Sequence, residues 1–298
     1  MLNNGEERRK TTINWFPGHM AKAKRQISES LKQVDLVVEV LDARAPLSSR
    51  NPEIKSLVSQ KPHIMVLNKS DLADKKTTEK WIEFYKNGGV PCIAFSVKEK
   101  NCVNILKSQI MKVMAEKIAR WKSRGMVGRS IKFMLLGIPN VGKSAIINRL
   151  VGNSKAKVEN KPGVTRKNQW FGVGKDLQIL DTPGILWPKF DDQKTALNLA
   201  FLGSIKDQIL DAEELASEFI ERIKDLYSKN ICERFKLDFE ILKNLNGKEV
   251  VDLIAKKRGM MSQGGESDIL RCSNMLIEEF RLGKLGKITL ESADEKGI

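Results

Sequence analysis

The chain has 298 residues, 41% hydrophobic and 6% aromatic, which is enough apolar mass for two domains or one large domain with an appendage. Its apolar stretches are strand-length, too short to span a bilayer, and MLNNGEERRKTT has no signal-like apolar region, so a cytoplasmic protein without membrane attachment is expected. The formal charge of +15 is uneven: residues 1–203 hold 36 basic and 18 acidic side chains, while 204–298 hold 16 and 19. A positive field of this size favours polyanions, RNA or DNA in particular, through counterion release. Cys92, Cys102, Cys232 and Cys272 form no C-x-x-C pair, which argues for reduced thiols and against zinc or a disulfide frame.

In chain order, INWFPGHM leads into a basic amphipathic helix, AKAKRQISESLKQV. DLVVEVLDAR then has the near-continuous apolar run of a strand buried on both faces. Asn51-Pro52-Glu53 combines an N-cap, a proline at the first helical position and an early acid, so a helix begins there. HIMVLNKSDL predicts a strand and its loop, TTEKWIEFYKN a helix, GVPCIAFSV a strand, and NCVNILKSQIMKVMAEKIARWKSR a long helix. The basic linker KSRGMVGRS leads to the strand IKFMLLG, and KSAIINRLVG follows as a helix. NSKAKVENKPGVTRKNQ is polar and predicts a mobile loop, with FGVG and LQILDTPG as two further strands. From about residue 204 onward the pattern is helical, in AEELASEFIERIKDLY, FEILKNL, KEVVDLIAKKRG and ESDILRCSNMLIEEFRLG. The strand–helix alternation predicts an α/β fold, a doubly wound and mainly parallel sheet, followed by a smaller all-helical C-terminal domain. The expected units are a leader and basic helix at 1–34, an α/β domain at 35–203 and the helical domain at 204–298.

The motifs specify the chemistry. GIPNVGKS (137–144) satisfies G-x-x-x-x-G-K-[ST] between a strand and a helix, a match that chance alone gives about once in a hundred such chains. Its Asn140, Val141 and Gly142 backbone would wrap phosphates at a helix N-terminus, Lys143 would reach the β- and γ-phosphates, and Ser144 would ligate Mg²⁺. NKSD (68–71) fits a guanine reader. Asp71 can accept two parallel hydrogen bonds from guanine N1–H and its exocyclic amine, Asn68 can bond the other edge, and the Lys69 stem can cover the face. One strand later, FSVK puts Ser96 and Lys98 where a second base-supporting loop belongs. In DTPG, Asp181 would hold Mg²⁺ through water and the Gly184 N–H would sense the γ-phosphate, with Thr165 completing the metal shell. His63, leading an apolar strand, is read as structural.

These signals agree on GTP, but the base-reading loops precede the phosphate loop. In a doubly wound sheet every ligand contact comes from loops at one edge, so the order in which the chain visits them can be permuted without disturbing the site. INWFPGHMAKA, DARAP, NKSDL, GIPNVGKS, KPGVTR, LDTPGILWPK and FRLGKLGKITLE together resemble the circularly permuted P-loop GTPases, and within them the ribosome biogenesis GTPase A family. The resemblance covers nearly the whole chain. It implies GTP hydrolysis to GDP with Mg²⁺, coupled to late assembly of the large (50S) ribosomal subunit, with ribosomal RNA and proteins as partners. It also makes 204–298 an RNA- or ribosome-binding domain. Ile185 stands where many GTPases carry a water-positioning glutamine, and the resemblance offers His19 instead, beside Lys143 and Thr165 as catalytic residues. Asn140 occupies the position that holds K⁺ in potassium-activated relatives. A monomer is expected. The alternative is an RNA-binding assembly scaffold that the nucleotide merely stabilises, and a tRNA-modifying GTPase is disfavoured for want of a catalytic cysteine or cofactor motif.

Overall fold

The computed structural model describes residues 18–58, 61–152, 169–181, 192–205 and 211–294. Six strands, β1 (Leu36–Asp42), β2 (His63–Asn68), β3 (Cys92–Phe95), β4 (Ile131–Leu136), β5 (Gln169–Val173) and β6 (Leu177–Asp181), form one sheet in the order β3-β2-β1-β4-β6-β5. All neighbours are parallel except β5, which pairs antiparallel with β6 at the edge. Every residue of β1 is buried, as its unbroken apolar run requires of a central parallel strand.

Helices cover both faces. On one, α4 (Cys102–Ser123) and α5 (Lys143–Val151) pack against Leu36, Val38 and Val40 of β1 and Phe133 and Leu135 of β4. On the other, α1 (Gly18–Gln33) and α2 (Pro52–Val58) pack on Val37, Met134 and Leu180, while Trp81 and Tyr85 of α3 (Lys75–Asn87) cover Leu41, Met65 and Leu67. Glu39 interrupts this second face, with its carboxylate 3.1 Å from His63 Nε2 and 3.7 Å from Arg50 Nε. His63 therefore has a packing partner beneath the sheet, at the end of β2 away from the loop that follows it. Burial pushes the thiols of Cys92 and Cys272 up to about 12, so they stay protonated, and all four cysteines are free.

After β6 come α6 (Gln193–Phe201), α7 (Ala212–Ile223), α8 (Ser228–Phe235), α9 (Phe239–Asn244), α10 (Gly247–Lys257) and α11 (Ile269–Arg281). Asp192, Asp211, Asp238, Asn246 and Asp268 cap five of these helices by accepting first-turn N–H groups. The core is centred on Phe201, Phe219 and Phe280, whose consecutive ring centroids lie 5.2 and 4.8 Å apart. Two helices were not legible in the pattern. In α8 the buried stripe is only Ile231 and Phe235, and α6 is buried by both the sheet core, through Leu199, and the helical core, through Phe201.

The all-helical reading of 204–298 stops at α11. Gly283 (φ 75°) and Gly286 (φ 88°) end the helical path, and the chain returns as an arm to the α/β part. The Ile288 N–H donates to Leu72 O (3.1 Å), the Leu290 N–H to Arg44 O (2.7 Å), and Trp81 Nε1 to Glu291 O (3.1 Å). The buried Glu291 carboxylate accepts from the N–H groups of Leu47 (2.7 Å) and Ser48 (3.0 Å), from the Ser48 hydroxyl and from Asn198 Nδ2 (3.0 Å). Burial raises its pKa despite these bonds.

Glu291→Ala strips an acceptor from one buried and one half-buried backbone N–H group, and a loss of about 3 kcal/mol is expected in urea unfolding. A raised carboxyl pKa contributes stability that is fully present below 4.5 and lost as pH rises through the raised value. The margin of wild type over Glu291→Ala should therefore narrow between acid and neutral pH, and a margin widening with pH would contradict this assignment.

Candidate functional site

Because β1, β2, β4 and β6 are parallel, they end at a common edge, in Asp42, Asn68, Leu136 and Asp181. The chain winds from β1 to β2 and β3 in one direction and from β4 to β6 in the other, so the crevice of the sheet lies between β1 and β4. The phosphate-loop motif leaves β4 there. Gly137 runs so close to β1 that a Cβ would sit 2.5 Å from Val40 O, and Gly142 (φ 96°) is placed so that a Cβ would strike the Asn68 amide. Buried Ile138 and Val141 anchor the loop from below, and α5 begins at Lys143 with its N-terminus on the loop. The Lys143 ammonium donates back to Gly137 O (3.0 Å) and Ile138 O (2.8 Å), within the turn itself. Ser144 is half-buried in the first turn of α5.

The base-reading loop is stitched directly to this turn. Asn68 Nδ2 donates to Val141 O (2.7 Å), while its buried Oδ1 has no hydrogen-bond partner among the described residues, an orphaned acceptor at the ligand edge. Lys69 takes a left-handed backbone conformation (φ 59°, ψ 32°), which carries its ammonium to Asn140 O (2.6 Å) and Asp42 Oδ2 (2.9 Å). Asp71 lies in the short 3-10 turn that follows, held by Ser96 Oγ at 2.8 Å and by Lys98 Nζ at 2.8 Å. Partial burial pushes its carboxyl upward, but the hydrogen bonds from Lys98 and Ser96 outweigh that and hold it below the usual range. An ionised, oriented acceptor pair is what guanine's two adjacent donors require, and adenine offers no match. The oriented Asp71 carboxylate and the glycine cradle fit a guanine nucleotide. Asn68, Lys69, Asp71, Ser96, Lys98, Asn140, Val141, Gly142 and Lys143 are thus brought together.

A second set of contacts, missed in the sequence, ties this edge to the helices. Arg44, fully buried, donates to both Asp42 oxygens (2.9 and 2.8 Å) and to the carbonyls of Phe280 and Arg281 at the end of α11 (both 3.3 Å). Arg281 in turn donates to Phe201 O (3.0 Å) and Ala200 O (2.7 Å) at the end of α6. Just beyond, Asn140 Nδ2 donates to Gly203 O and Ser204 Oγ to Pro139 O (3.0 Å), returning to the phosphate loop. Burial alone would raise the Asp42 carboxyl, but the adjacent Arg44 and Lys69 charges hold it well below the carboxylate range. The acid-x-Arg of DARAP directly after a buried strand was the available signal.

Thr165, Gly184 and Ile185 lie outside the described residues, as do the side chains of His19, at the start of α1, and Asp181, at the end of β6. Hydroxyl and carboxylate oxygens suit a hard Mg²⁺ ion, and Ser144 and the end of β6 lie at the same edge on adjacent strand ends. Among the described residues no group of three or more His, Cys, Asp or Glu side chains is placed to hold a metal, and no helix is long and apolar enough to cross a membrane.

Asp71→Asn replaces one acceptor by a donor, so GTP affinity should fall by at least about a hundredfold while xanthosine triphosphate, which presents an oxygen there, gains affinity. Fluorescent-nucleotide titration checks both. Gly142→Ala should abolish binding of either nucleotide while the protein stays folded by circular dichroism, because its Cβ enters the Asn68 amide.

Comparison with known proteins gives a consistent picture. The family model described as 50S ribosome-binding GTPase matches residues 132–244, so it begins in β4 and leaves the base-reading loops upstream, as a permuted order requires. The chain is 42% identical over 285 residues to ribosome biogenesis GTPase A of Bacillus cereus, covering 96% of this chain and 95% of that protein. A GDP-bound structure of YlqF superposes with a TM-score of 0.63 at 31% identity, covering 91% of this chain and 100% of that one. A GNP-bound YlqF from T. maritima gives 0.63 at 30%, covering 91% and 98%. With a permuted P-loop sheet and relatives matched over nearly their whole length, the chain is a GTP-hydrolysing enzyme and belongs to the ribosome biogenesis GTPase A family.

Proposed function

We propose that this GTPase serves late maturation of the large ribosomal subunit, that the precursor particle activates it, and that it works as a cytoplasmic monomer. The observation that carries the reading is the closed run of contacts from the phosphate loop through Gly203, Arg281 and Arg44 to Asp42 and Lys69. A helical domain hydrogen-bonded to the nucleotide edge is suited to report nucleotide state to a large partner. The names of the relatives, which include ribosome biogenesis GTPase A and a mouse mitochondrial ribosome-associated GTPase, supply the ribosome as that partner. In this reading, 1–34 is a leader with a basic helix, 35–203 the GTPase domain and 204–298 the RNA- or ribosome-binding domain.

Each residue then has a role. Lys143 offsets charge on the β- and γ-phosphates, and Asp71 and Asn68 select guanine, with Ser96 and Lys98 bracing Asp71. Ser144, Thr165 and Asp181 would hold Mg²⁺, which supplies electrostatic stabilisation to the transferring phosphoryl group, and the Gly184 N–H would face the γ-phosphate. Asn140 is the proposed K⁺ ligand through its amide oxygen, since its nitrogen is engaged on Gly203 O. Ile185 has no group to position water, so His19 takes that task on the activating particle.

GTP turnover should rise at least tenfold with purified large subunits and stay at background with small subunits. Equal, unstimulated turnover would replace this reading by a scaffold that the nucleotide merely stabilises. His19→Ala should keep GTP affinity and lose most of the stimulated rate, and an unchanged rate would remove His19 from the active site. Exchanging K⁺ for Na⁺ tests Asn140 in the same assay.

A further inference from the structure

Among the described residues, a concentration of positive charge lies at the edge of the sheet opposite the nucleotide. Loops entering β1, β2 and β4 converge there with the β5–β6 hairpin turn, because parallel strands begin at one edge as surely as they end at the other. Backbone and side-chain bonds knit these loops into one surface. Lys61 Nζ donates to Val34 O (2.9 Å), the Asp35 N–H to Lys132 O (2.6 Å), the Ile131 N–H to Asp176 O (2.8 Å), and Ser130 Oγ to Lys175 O (3.3 Å).

Residues 120–132, RWKSRGMVGRSIK, contribute five cations and no acid. Asp35, the buried carboxylate here, is taken by Arg129 (3.2 Å) and Lys117 (3.3 Å). Among the described residues, exposed Lys122, Arg124, Lys132 and Lys175 are in no ion pair. Tryptophans brace the patch: Arg129 lies 4.2 Å from the Trp121 ring and Lys132 5.4 Å from that of Trp170, which is 39% exposed on the edge strand. Exposed Met126 and Val127 at the loop tip are too few to insert as a membrane-binding face.

We infer that this edge, built from Lys61, Lys122, Arg124, Arg129, Lys132 and Lys175, grips the phosphate backbone of double-stranded RNA. The inference rests on the ribosome-assembly reading above and deepens it. It moves the electrostatic hold from the helical domain, whose net charge is slightly negative, to the α/β domain. Four adjacent strand ends about 4.8 Å apart spread the cations over roughly 14 Å, enough to meet several phosphates of one duplex. The grip leaves the opposite edge open for nucleotide exchange. The loop at 124–130 exists because the permuted chain must run from α4 into β4, so the connection that reorders the motifs also carries the RNA contact.

The test compares wild type with a Lys122→Gln, Arg124→Gln, Lys175→Gln triple variant. These are exposed side chains outside the nucleotide site, so unstimulated GTP hydrolysis should be unchanged. Binding to an RNA duplex of about 20 base pairs, followed by fluorescence anisotropy across KCl concentrations, should weaken at least about tenfold, with the salt slope shallower by about two to three. A Lys122→Arg, Arg124→Lys, Lys175→Arg variant should bind as wild type. Equal duplex affinity for wild type and the triple glutamine variant would overturn the assignment, as would wild-type binding to anionic phospholipid vesicles but not to RNA. Sedimentation with large subunits separates the two readings. Wild type and variant co-sedimenting equally overturns this surface alone, whereas wild type that binds duplex RNA but neither subunit overturns the assembly reading and leaves the surface standing.

Discussion

The Asp42 carboxylate is the interaction on which the rest of the molecule turns. It sits at the buried end of the central strand, where an unpaired charge would be prohibitive, and Arg44 and Lys69 neutralise it from two sides. Each partner is a long side chain whose remaining donors are spent elsewhere. Lys69 reaches the phosphate loop at Asn140, and Arg44 reaches the last carbonyls of α11. One buried charge thus sets the distance between base-reading loop, phosphate loop and helical domain. Removing either cation would leave Asp42 under-compensated, so the three elements are held in register by an electrostatic necessity rather than by shape alone.

Permutation gives this arrangement its mechanical meaning. A ligand at the carboxyl edge of a parallel sheet sees only the edge, and the edge here is complete although NKSD precedes GIPNVGKS. What changes is what the free connections carry. The segment after β6 leads through α6 into the helical core, and the final arm returns past α11 to Glu291, whose carboxylate caps the Leu47–Ser48 turn just beyond Arg44. The helices are therefore bound to the nucleotide edge at both ends of their sequence. The connection that enters β4 forms the cationic rim on the far side.

Much of this was legible beforehand because the signals are local. The phosphate loop, the guanine motif and its supporting FSVK are short strings whose side chains act where the backbone puts them, and the alternation of buried strands with amphipathic helices announces the sheet. The failures have equally specific causes. The α8 helix shows only two apolar positions of a face, α6 divides its buried residues between two cores, and the arm after Gly283 is stabilised by bonds to Leu72 and Arg44, over two hundred residues earlier in the chain. DARAP was visible as a string, but nothing local says that its arginine faces a helix end contributed by Phe280 and Arg281.

The sequence alone determined the ligand class, the kind of fold and the permuted order, because glycines at 137 and 142, a carboxylate at 71 and parallel-strand patterning each imply their chemistry without a distant partner. Only the tertiary structure decided how these pieces are joined. The Asp42–Arg44–Lys69 cluster, the Asn140–Gly203 and Arg281 contacts and the Glu291 cap are long-range pairings between polar groups. Such pairings have no periodicity to read. They form because each buried donor or acceptor must find a partner once the core has excluded water, and which partner it finds is set by topology.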